Sequence, residues 1–81
     1  MDGVITFFSS QQVMKAEKIF KKNNLKVTII PGPREISPNC GVALCFNYSE
    51  LEQVNKIIKE NNIIYEAIHY YPQIKTISKW L

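Results

Sequence analysis

KIFKKNN, residues 18–24, returns later in the chain as KIIKENN, residues 56–62. Each copy closes an amphipathic segment and is followed by a short β-prone run, so the chain reads as one unit written twice. In the first half Val4 to Phe8 is β-prone. Val13, Ala16, Ile19 and Phe20 then recur at three- and four-residue steps, with Lys15, Lys18 and Lys22 off the stripe, which is the pattern of a helix with one buried face. Lys26 to Ile30 alternates and is β-branched, and Pro31 closes it because proline cannot donate to a ladder. In the second half Gly41 to Tyr48 reads as a strand, Leu51, Val54, Ile57 and Ile58 form the next stripe, and Tyr65 to Tyr71 is the last strand. Asparagine ends both helices, at 23–24 and 61–62, since it tolerates the left-handed backbone common past a helix C-terminus.

Two β-α-β halves with right-handed crossovers predict an α+β fold, a ferredoxin-like βαββαβ sandwich with a four-stranded antiparallel sheet and both helices on one face. Local signals set the helix starts. Ser9 with Gln12 and Ser49 with Glu52 fit capping boxes, and Phe8 with Val13 occupies the positions of a hydrophobic staple. On strand three, Val42, Leu44 and Phe46 point one way and Ala43 and Cys45 the other. The larger set is the favoured helix-side core, although Ala43 and Cys45 fit equally beneath a closely packed helix. On either choice Cys45 reads as a small apolar residue of the sheet.

At 81 residues the chain holds one core, assigned to residues 1–72, with 73–81 as a tail in which Ile74, Ile77 and Trp80 or Leu81 suggest a short helix. The 46% apolar and 21% charged composition is globular. The longest apolar run is far short of the roughly 20 residues that cross a bilayer, and the start lacks a secretory leader, so a soluble cytoplasmic protein is expected. The net charge of +3 is carried mainly by lysines on the expected solvent faces of the helices, which argues against a nucleic-acid patch. One histidine, two cysteines without CxxC spacing and no carboxylate cluster argue against a zinc site. His69, alone among tyrosines, is not read as a base or ligand.

One segment departs from this economy. Strands two and three are antiparallel neighbours, and such hairpins usually close in two to five residues, yet here PGPREISPNCG intervenes, Pro31 to Gly41. Its three prolines restrict the chain and favour a defined placement of Cys40, and Gly41 removes a side chain from one flank of the thiol. A Cys40–Cys45 bridge is disfavoured, because five extended residues span roughly 16 Å and a disulfide needs Cα atoms within about 7 Å. An isolated thiol titrates near 8.5; Arg34 would lower that value if the loop curls back, and Glu35 could instead neutralise Arg34. A loop cysteine of ordinary reactivity is the competing reading. A sulfur carrier, however, needs no catalytic dyad, only an accessible thiolate that takes and gives a sulfane sulfur.

The strand ITF followed by serine and a helix with KAEK, the PREIS run at 33–37, and Cys40-Gly41 leading into VAL together resemble the selenium/sulfur (Se/S) carrier protein-like family of small bacterial domains, over Val4 to about Tyr71. The resemblance implies sulfur or selenium trafficking, with Cys40 as the carrier position and Arg34, Glu35 and Gly41 as supporting positions. It implies a cysteine desulfurase-type donor and a sulfur or selenium acceptor protein as partners, and no cofactor. A homodimer through the sheet face or tail is also compatible. The alternative is a non-catalytic binding or regulatory module using the open sheet face, its RNA version resting on Phe46 and Tyr70. A classical enzyme ranks last, since no nucleophile–base pair or phosphate-cradling loop is present.

Overall fold

The computed structural model describes residues 2–31 and 41–72. The chain order is β1 (Gly3–Thr6), α1 (Ser10–Lys22), β2 (Thr28–Pro31), β3 (Val42–Phe46), a single 3₁₀ turn (Tyr48–Glu50), α2 (Leu51–Asn61) and β4 (Ala67–Tyr70). The strands form one antiparallel sheet in the order β2-β3-β1-β4, so each helix carries the chain past one intervening strand, which is the interleaved topology expected from the repeat. The strands are shorter than expected at their outer ends. Pro31 does enter β2, opposite Val42, and β2 is an edge strand, where a missing N–H leaves no broken ladder bond.

Ile5, Phe7, Leu44 and Phe46 pack with Val13, Ala16 and Phe20 of α1 and Val54 and Ile57 of α2 in the main core, with Val42 against it. The larger side chains of β3 therefore do face the helices. Val4, Ile30, Ala43 and Cys45 make a second buried cluster on the opposite face, with Tyr71 packed on it. That face is no open aromatic platform. Phe46 is fully buried on the helix side, and Tyr70 meets Tyr48 edge to face at 5.1 Å. The stacking surface that an RNA module would need is not formed by these two rings.

The first helix start is corrected in two details. Ser9 Oγ accepts from the Gln12 N–H at 3.3 Å as expected, but Gln12 Oε1 reaches the Phe8 N–H, at 3.0 Å, rather than that of Ser9. The staple does not form, because strand parity sends Phe7 into the core with Val13 and leaves Phe8 61% exposed. The second capping box is also absent. Glu50 takes the cap position of α2 without a side-chain bond to the helix start, its Oε1 accepting from Asn47 Nδ2 at 3.5 Å instead, after the 3₁₀ turn that the Glu50 N–H closes on Asn47 C=O at 2.8 Å. The Tyr48 N–H is satisfied from afar by Asp2 Oδ1, at 2.8 Å. The helix ends match expectation: Asn24 and Asn62 both adopt left-handed backbone, φ 62° and 52°.

Gly3 shows how tightly the core closes. A Cβ there would lie 2.6 Å from the ring of Phe46, which is itself buried. Gly3→Ala gains a little from unfolded-state entropy but forces that ring to move, so a net loss of about 1–3 kcal/mol is expected. A urea midpoint unchanged from the wild type would show that the ring yields freely.

Candidate functional site at the hairpin rim

Ile30, Ala43, Thr6 and Ala67 form the last row that crosses all four strands, with the Pro31↔Val42 pair one step nearer the rim. At this rim β1 and β2 end, β3 and β4 begin, α1 starts and α2 finishes. The rim is closed by the buried Thr6, whose Oγ1–H donates to Ala67 C=O at 3.3 Å, and by the Glu66 N–H on Thr6 C=O at 2.7 Å. The end of β2 and the start of β3 therefore lie at the same end of the sheet as the N-terminus of α1. That helix packs over β2 and β3, and its first turn holds no acidic residue. The partial positive charge of the helix start is thus not neutralised from within its own first turn.

Of the expected site residues, Arg34, Glu35 and Cys40 lie outside the described residues. Gly41, which leads from Cys40 into β3, is exposed at φ 76°, with nothing within 4 Å of the place a Cβ would occupy. Space does not require glycine there; the left-handed backbone does.

Cys45 lies within the sheet, on β3. It is 2% exposed in the second cluster, and burial raises its thiol above the ordinary range, an effect only partly countered by hydrogen bonding from Thr28. The pairs Thr28↔Cys45, Cys45↔Val4 and Val4↔His69 line up as a row on that face, so Val4 stands between the thiol and the imidazole. Nε2 of His69 is buried without a hydrogen-bond partner among the described residues, so nothing there orients it as a base. No group of three or more His, Cys, Asp or Glu side chains among the described residues could hold a metal ion. The sequence placed Cys45 in the sheet; its row partners Thr28 and His69 depended on register.

The raised Cys45 thiol has a consequence for stability. The folded protein holds this proton more tightly than the unfolded chain, whose thiol titrates near 8.5. The contribution is complete below that value and is lost as pH rises from it through the higher folded value. Wild-type stability should therefore fall more steeply in that alkaline window than that of Cys45→Ala, as read by urea unfolding at a series of pH values. Parallel pH profiles would contradict it.

A family model described as "Putative Se/S carrier protein-like" matches residues 2–70, which takes in both β-α-β halves and the whole hairpin with its Cys40-Gly41 pair. No curated protein matches the chain, and no solved structure matches it. Because the family match extends over most of the sequence and meets the expected fold, the chain belongs to the Se/S carrier protein-like family.

Proposed function

We propose that this protein carries sulfane sulfur, or selenium at the same oxidation level, on Cys40. The observation that carries the reading is membership of the Se/S carrier protein-like family over a span that includes the Cys40-Gly41 pair. Two features support it. Burial and a raised thiol make Cys45 a poor nucleophile, and the hairpin leaves the sheet at the rim where α1 begins with its dipole uncompensated by a first-turn acid.

In the transfer, the Cys40 thiolate attacks the terminal sulfur of a donor persulfide, R–S–SH. A new S–S bond forms on Cys40, the donor S–S bond breaks, and R–S⁻ leaves with the electron pair. The proton stays on the transferred sulfur, and no external oxidant or reductant is consumed. An acceptor thiolate repeats the attack and releases the Cys40 thiolate. Such exchange is governed by thiolate fraction and access. Arg34 and Glu35 are assigned supporting roles, and Gly41 leaves one flank of the thiol without a side chain. The donor is a pyridoxal-phosphate cysteine desulfurase, and the acceptor is a biosynthetic protein that receives sulfur or selenium. No helix among the described residues is long and apolar enough to cross a membrane. The cytoplasm, where thiols stay reduced, is the proposed site of action.

The test is to incubate the protein with a desulfurase and cysteine and to weigh it intact. One added sulfur atom, removable by a thiol reductant, is expected; none would overturn the reading.

A further inference from the structure

The helices pack on one face of the sheet, yet the opposite face is buried just as deeply. Ile30 of β2, Ala43 and Cys45 of β3, and Val4 and Thr6 of β1 share that face by register and are each no more than 2% exposed. At the β4 edge Nε2 of His69, paired with Val4, is buried too. An antiparallel sheet with helices on one side ordinarily turns its other side to water, so burial of this depth needs a second layer. Among the described residues, Tyr71 is the one partly buried apolar side chain packed on the cluster. One ring cannot cover a face that runs from β4 to β2, three strand spacings or about 14 Å.

We propose that residues 73–81, which lie outside the described residues, dock on this face as its intramolecular cover. Composition selects them: 32–40 offers one large aliphatic side chain, Ile36, whereas 73–81 offers Ile74, Ile77, Trp80 and Leu81. At 3.6 residues per turn those four fall within one arc of about 120°, and Lys75 and Lys79 fall opposite it, which suits a segment laid flat on an apolar surface. Connection selects them as well, since the segment follows Tyr71 and Pro72 and sets out from the β4 edge, beside the ring already packed there. Nine helical residues extend about 13 Å, enough to reach β2. The inference is independent of the carrier reading and concerns a segment past residue 70, where the family match ends. It gives the face an occupant that shields the Cys45 thiol and keeps an apolar patch from other proteins.

The test uses the full chain with Cys40→Ser, so that Cys45 is the only thiol, and reads Trp80, the only tryptophan. Acrylamide should quench Trp80 far less in the native protein than in urea, and its native emission should lie to the blue of the unfolded value. Alkylation of Cys45 by iodoacetamide, followed by intact mass, is compared in this parent, with Ile77→Glu added, and with Lys79→Glu added. It should be about tenfold faster or more with Ile77→Glu, because a carboxylate cannot be buried against that face without loss, and unchanged with Lys79→Glu. Each rate is taken over a range of protein concentrations with light scattering alongside. Native Trp80 quenched as freely as in urea, or one Cys45 rate in all three proteins, would overturn the cover. So would shielding that grows with protein concentration as a dimer forms, which would give the face to a second copy. Where Ile77→Glu does not unfold cooperatively in urea, Trp80 quenching in the parent decides.

Discussion

Cys40→Ser will abolish sulfur loading, whereas Cys45→Ala will load as the wild type does. The contrast follows from the carrier role proposed for Cys40 and from the environment of Cys45. A persulfide forms only where a thiolate can approach a donor sulfur in line, and Cys45 lacks both conditions: it is buried, and burial holds its proton on. It also belongs to an edge-to-edge row between Thr28 and Val4, within a cluster that has no exposed member. Serine at position 40 keeps the shape of the side chain but cannot form a persulfide, so the expected loss is complete. Alanine is used at 45 because it removes the thiol and puts no other polar group into the apolar cluster. Intact mass after incubation with donor reads both variants, and the same samples should show native cooperative unfolding. Loading that persists in Cys40→Ser and vanishes in Cys45→Ala would reverse the assignment.

Phe20→Ala will cost the most stability. Phe20 is fully buried where α1 meets the sheet and α2, and truncating such a ring removes about 3–5 kcal/mol. A domain of this length has in total only about 4–12 kcal/mol, at roughly 0.05–0.15 kcal/mol per residue. The variant should therefore be partly unfolded at ambient temperature, with a urea midpoint far below that of the wild type. Met14→Ala is the control, since Met14 lies on the same helix but is 57% exposed, and its change should stay within about 0.5 kcal/mol. Similar losses in both would mean that α1 packs by another face.

Much of this was legible before any coordinates. Of the helical stripes, Val13, Ala16, Phe20, Val54 and Ile57 are buried and Ile19, Leu51 and Ile58 pack partly buried against them, and the asparagines at 24 and 62 announced the left-handed helix ends. These are local properties, decided within a few residues by periodicity and backbone preference. The failed expectations share one cause. Whether Phe7 or Phe8 enters the core depends on the strand's parity against its neighbours. The start of α2 depends on Asp2, distant in sequence, capping Tyr48 in place of Ser49. The site divides in the same way: Cys40-Gly41 stood out by its proline-rich, over-long hairpin and by family likeness, while the start of α1 joined the same rim only when the strands were assembled.

The sequence by itself determined the repeated β-α-β unit, the order of elements and the place of Cys45 in the third strand, because hydrophobic period and turn residues act at short range. Tertiary structure alone decided which face of β3 meets the helices, that Ala43 and Cys45 on its other face are buried as well, and that β3 begins at the same rim as α1. Those outcomes come from strand order and register, which join residues far apart in the chain and leave no local mark on any one segment.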